Sequence, residues 1–161
     1  MSLSNDIRGV LVQIEGARLL LPNATISEVL SFAAPDAVAG APDWLLGRIR
    51  WRGWQVPLVS FARMSGTASE GGGIGSKVLV LKALGDDATL PHFALLTQGF
   101  PRLVTVSRDA LRPAGDDDGD ASAAVLPEGV LMRVVLNDDP AWIPDMGAVE
   151  AALRQALPQA A

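Results

Sequence analysis

Short apolar runs, broken repeatedly by glycine, proline or asparagine, set the grammar of this chain, and only its last stretch keeps a helical period. Ile7 to Ile14, Arg18 to Leu21, Thr25 to Leu30, Lys77 to Leu84, His92 to Leu96, Arg102 to Val106, Val130 to Leu136 and Ala141 to Pro144 each read as a strand. Glu15-Gly16, Pro22-Asn23 and Gly99-Phe100-Pro101 are the turns between them. Lys77 to Leu84 is apolar at nearly every position, which predicts a strand covered on both faces. Residues 145 to 158 predict a helix: Asp145 can cap it, and Val149, Ala152, Leu153 and Leu157 share one side. Many strands and one terminal helix imply small β barrels or a sandwich, and the pattern by itself does not choose between them.

At 161 residues the chain is one ordinary domain, or two very small subdomains sharing a core. Residues 65 to 76 are glycine, serine, threonine and alanine with a single charge and little apolar content, the composition of a connector. They predict a first β half over 1–66, a linker over 67–76, a second β half over 77–144 and then the helix. The net charge of −5 is uneven, +1 over residues 1 to 66 and −6 over 67 to 161. Neither half carries the strongly basic face that a phosphate backbone rewards, so nucleic acid is not an expected partner. There is no cysteine, hence no disulfide and no thiolate chemistry. No apolar run is long enough to cross a bilayer, and Met1 to Asp6 lacks the basic start of a signal peptide, so a cytoplasmic protein without direct membrane insertion is expected.

Residues 42 to 61 concentrate three of the four tryptophans and three arginines around one turn. Trp and Arg dominate protein-binding hot spots because they combine large desolvatable area with planar, multi-donor hydrogen bonding. Arg48, Ile49, Arg50, Trp51, Arg52 alternate as a strand with a basic and an apolar face would. Gly53 permits a tight turn, and Pro57 favours an edge strand or a bulge, because a central ladder would miss its donor. Ile49 and Trp51 are expected in the core, with Arg48, Arg50 and Trp54 exposed and Trp54 the leading hot spot.

No catalytic apparatus assembles in the sequence. His92 is the sole histidine and reads as a surface residue, with no cysteine or nucleophile elbow to serve. Gly71 to Lys77 imitates a phosphate loop, but Ser76 precedes Lys77, and the segment opens a strand where a P-loop opens a helix. Asp116 to Asp120 imitates a calcium loop, but counted from Asp116 its sixth and twelfth positions hold Ala121 and Pro127, where glycine and a bidentate glutamate are needed. A solvated acidic loop is the simpler reading. No cofactor or metal is expected.

Pro42, Gly47, Arg52-Gly53 and Pro57, with Ile26-Ser27-Glu28-Val29 before them, resemble the CheW-like chemotaxis coupling domain, whose signature is a glycine, Arg-Gly five residues on and proline four beyond. Phe93 to Val104 is similar to the second half of CheW-like proteins of pilus-associated (Pil-Chp, ChpC-type) systems, and Trp142 to Met146 resembles the family's closing strand and helix. Thr97-Gln98 stands where coupling proteins often carry Val-Asp, and Ser60 where the signature ends in an acid; both departures point to the pilus-associated branch. The resemblance implies two SH3-like five-stranded barrels side by side and a non-enzymatic adaptor. Such an adaptor bridges the regulatory domain of a CheA-type histidine kinase and the cytoplasmic tip of a methyl-accepting chemoreceptor. On this expectation Arg48, Arg50, Arg52, Gly53, Trp54, Val56 and Pro57 form a protein-binding face, and Ile26, Glu28 and Val29 flank a receptor groove. The alternatives are a small-ligand sensor, for which the sequence offers no convergent polar groups, and an accessory that tunes an array without binding the kinase.

Overall fold

The computed structural model describes residues 7–67, 75–85, 90–107, 110–113 and 129–157. Residues 68–74 of the expected linker, most of the Gly71 to Lys77 segment and all of Asp116 to Asp120 lie outside them.

The described elements are β1 (Ile7–Ile14), β2 (Ala17–Pro22), β3 (Ile26–Ser31), β4 (Leu45–Trp51), β5 (Trp54–Val59), α1 (Phe61–Met64), β6 (Lys77–Lys82), β7 (His92–Thr97), β8 (Arg102–Val106), β9 (Leu111–Pro113), β10 (Val130–Leu136), β11 (Asp139–Pro144) and α2 (Met146–Ala156). The strands form a six-stranded sheet in the order β8-β1-β2-β11-β10-β9 and a five-stranded sheet in the order β3-β6-β7-β5-β4. Mainly β structure with two SH3-like subdomains and a C-terminal helix is the expected fold class, and it is the one found, with six strands in one sheet where five were expected.

The sheets do not follow the chain's halves. The six-stranded sheet joins β1 and β2 to β8 through β11, and the five-stranded sheet joins β3, β4 and β5 to β6 and β7. A boundary at 67–76 is therefore not where one subdomain ends and the other begins. Composition marks where the chain is polar, whereas sheet membership is decided by long-range pairing that composition does not encode.

Three apolar clusters explain why the central strands are oily throughout. Leu11, Leu20, Val134, Leu136 and Ala141 fill the interior of the six-stranded unit. Trp51, Val56, Leu58, Val78, Val80, Ala94 and Leu96 fill that of the five-stranded one. The alternate residues of the same strands, among them Val10, Val12, Ile14, Leu79, Leu81, Phe93 and Leu95, meet between the sheets with Phe61 of α1 and with Val149 and Leu153 of α2. Thus β6 spends Val78 and Val80 on its own barrel and Leu79 and Leu81 on the shared core, covered on both faces as its run of apolar residues requires. This shared core joins the two units through one continuous apolar interior.

Helix α2 is clasped at two points. Asp145 caps it by accepting from the Ala148 N–H at 3.1 Å. The Glu150 carboxylate, 2% exposed, accepts the backbone N–H groups of Leu84 and Gly85 at 2.8 and 2.9 Å, tying the helix to the end of β6.

The mouth of the five-stranded barrel

Hairpin β4–β5 is built for a two-residue turn. Trp51 pairs with Trp54, and Arg52 and Gly53 between them take φ of +50° and +81°, the doubly positive pattern of a type I′ turn. Such a turn matches the twist of the flanking strands, and glycine at its second position enters it without steric cost. Five residues earlier, Gly47 has φ of +147°, and a Cβ placed there would lie 2.4 Å from the Asp36 carbonyl oxygen. That contact exists because Asp36 bridges to Arg48, N–H to C=O in both directions at 2.9 and 2.8 Å. Two glycines of the hairpin are thus fixed by backbone geometry, one for a turn and one for a close crossing.

The strand order corrects the expectation for Pro57: β4 is the edge of its sheet and β5 lies between β4 and β7. Proline is tolerated because β5 pairs with β7 only at Leu58 and Val59, beyond it. The register irregularity opposite lies between Leu45 and Gly47, on β4.

Alternation then sorts the expected contact residues. Trp51 is 7% exposed inside the barrel with Ile49 packed against the same cluster, whereas Trp54 is 47% exposed and Arg50, Arg52 and Gly53 are exposed. Arg48 is half-buried. Val56 and Pro57 are buried, Val56 in the barrel interior, so neither offers a surface to a partner in this structure. Their place on the expected binding face is corrected: the residues that follow the turn enter the body of the sheet within one strand step.

Of the expected groove residues, Ile26 and Val29 pack partly against the core between the sheets. Glu28 reaches the hairpin. Its Oε1 accepts from the Trp51 indole N–H at 3.2 Å and from the Arg52 guanidinium at 2.9 Å, while that guanidinium lies 4.9 Å over the Trp51 ring. Glu28, Trp51 and Arg52 therefore hold one another, and the pair is a brace at the barrel's end. With an Arg52 side chain 69% exposed, the ion pair adds little to stability.

Ile26, Ser27, Trp51, Arg52, Trp54, Lys82 and His92 together line an open depression of about 450 Å³ at this end of the barrel. A second depression, about 390 Å³, runs along the gap between the edge strands β3 and β4, with Leu30, Ile49 and Val78 in its lining and Arg48 and Arg50 beside them. Nothing local in the sequence singles out Lys82, and His92 is expected there as a surface residue. His92 is not a plain surface residue: its ring stands edge-on to Trp51 at 4.8 Å, and its buried Nδ1 has no hydrogen-bond partner. Burial, reinforced by the positive charges of Lys82 and Arg52, lowers its pKa below the ordinary histidine value. The pairing His92 with Lys82, and both with the β4–β5 turn, depends on strand order, which no local signal in the sequence carries.

Comparison with known proteins agrees with this architecture. Residues 8–142 match the CheW-like domain. No curated relative matches the sequence. Among solved structures, the scaffolding protein TtCheW from Thermoanaerobacter tengcongensis superposes with a TM-score of 0.69 at 13% identity, over 89% of this chain and 86% of that one. At such identity the likeness is one of fold.

Proposed function

Since the chain belongs to the CheW-like family, whose members are non-catalytic scaffolds of chemotaxis signalling, we propose that it couples a chemoreceptor to a CheA-type histidine kinase. In this reading the adaptor is cytoplasmic and joins receptor arrays by binding, and the system it serves is one of the pilus-associated type that controls twitching motility. The departures Thr97-Gln98 and Ser60 support that branch. Among the described residues no helix is long and apolar enough to cross a membrane.

One observation carries the assignment of the contact face. The hairpin tip exposes nearly half of Trp54 beside Arg50 and Arg52, while Ile49, Trp51, Val56 and Leu58 pack into the barrel interior. An indole kept at a rigid turn, flanked by guanidinium groups, is the anatomy of a hot spot: large area, little entropy to lose and fixed donors around it. We assign this tip to the kinase regulatory domain, and Ile26, Glu28 and Val29 to the side facing the receptor. Coupling then passes as free energy between two binding sites on one stiff body. A sensor of small ligands is the weaker reading, because both depressions of the five-stranded barrel are open to solvent.

The test is calorimetric titration of the protein with the regulatory domain of the CheA-type kinase encoded beside it, and separately with a receptor-tip fragment. Saturable binding to both is expected. Binding to the receptor tip alone would make the protein an accessory of the array, and binding to neither would remove the coupling role.

A further inference from the structure

The mouth of the five-stranded barrel gathers cations in a chain whose net charge is −5. Lys82 at the end of β6 pairs in register with His92 at the start of β7, and the Arg52 turn closes over them to line the same depression. Each basic group stands differently. The Arg52 guanidinium is already engaged by Glu28 at 2.9 Å. Lys82 has only the Ala24 carbonyl, at 3.4 Å, and among the described residues no carboxylate pairs with it. His92 lines the depression, and its Nδ1, turned away from solvent, has no hydrogen-bond partner. Beside them stand the exposed Trp54 indole and the side chain of Ile26, an apolar wall for the carbon stem of an incoming group.

We propose that this mouth is a carboxylate pocket that receives an Asp or Glu side chain of the partner protein, with Lys82 and His92 supplying the charge and donors and Trp54 covering its stem. The proposal rests on the tip being a partner-binding face and names the chemistry that face selects. Glu28 holds Arg52 through a single guanidinium N–H, so Arg52 adds positive charge at the rim, and the Lys82 ammonium and the His92 imidazole match the two oxygens of a carboxylate. Bound there, the carboxylate offsets the repulsion that Lys82 and Arg52 exert on a protonated His92.

A linkage follows, and its sign is fixed. In the free protein His92 titrates below its ordinary value because of burial first, then Lys82 on β6 and Arg52 on the β4–β5 turn; Glu28 of β3 is held by Arg52 and by the Trp51 indole that stands against His92. A carboxylate in the mouth favours the charged imidazole, so His92 takes up protons on binding and affinity rises as pH falls from about 7 toward 5.5.

The chain's single histidine makes the test clean. The ring resonances of His92 are followed by NMR against pH with the peptide acetyl-Ala-Glu-Leu-Ala-amide and with its Gln counterpart. The Glu peptide is expected to raise the His92 pKa by about half a unit or more, with the Gln peptide silent. Equal response to both peptides, or to neither, overturns the proposal. In parallel, the kinase regulatory domain is titrated with Lys82→Gln, His92→Gln and Trp54→Ala. The pocket predicts a loss of about fivefold or more for Lys82→Gln and a flattened pH dependence for His92→Gln. If Trp54→Ala weakens binding but both other variants match the wild type, the carboxylate pocket is refuted and the contact face survives. If none of the three has an effect, both are refuted.

Discussion

The body and the tip of hairpin β4–β5 are built from the same few residue types, yet they do opposite things. Trp51 and Trp54 oppose each other across the turn, and one is 7% exposed while the other is 47% exposed. In the body, Ile49, Trp51, Val56 and Leu58 close the barrel interior, and Gly47 lets Asp36 cross the edge strand. At the tip Trp54 keeps nearly half of its surface open, and Arg50 and Arg52 are exposed. Residue type shows that a cluster is valuable, but the few ångströms between ladder and turn decide whether its value is spent inward or outward.

The largest effect expected separates the two at once. Gly47→Val places a Cβ against the Asp36 carbonyl at a φ that L residues rarely adopt, and a loss of about 3 kcal/mol or more in denaturant unfolding follows. Val56→Ala, also in the body, empties part of the barrel interior and costs about 2 kcal/mol by the same measurement. If Val56→Ala were neutral for folding, the correction that moved it from the binding face to the core would fail. Arg52→Ala stands on the border: it removes an exposed ion pair and a guanidinium over Trp51, so less than about 1 kcal/mol of stability is expected to go. A larger loss would extend the body through the turn.

Smallest is a pH effect at His92. Because its pKa is lowered in the folded state, by burial and then by Lys82 and Arg52, the unfolded chain binds more protons below the ordinary value. Acidification below about pH 6.5 therefore destabilises the wild type slightly, and His92→Gln removes that increment. Between about pH 7.5 and 5 the thermal midpoint of the wild type should fall relative to that of His92→Gln; a constant gap would mean the histidine titrates normally.

The contrast between body and tip also shows what a sequence can reveal. Strand positions, the Asp145 cap and the apolar side of the last helix follow from local period and side-chain chemistry, and they stand close to where they were expected. A tight turn at Gly53 was legible for the same reason, whereas the place of Arg52 in that turn and not in the strand was not. Val56 and Pro57 were misplaced because exposure within a strand depends on which strand lies alongside, and β5 turned out to be internal. Lys82 and the Glu150 clasp were not legible, and His92 was expected at the surface, because each gains its meaning from residues far along the chain. The short β9 was also passed over; three residues, one of them proline, hold too little period to register.

The central claim is that Trp54 serves a partner and not the fold. Trp54→Ala should be measured by calorimetric titration against the kinase regulatory domain, with a thermal melt of the same sample. The account predicts a loss of about 2 kcal/mol in binding with stability changed by less than about 0.5 kcal/mol. A variant that melts early, or one that binds as tightly as the wild type, would contradict it.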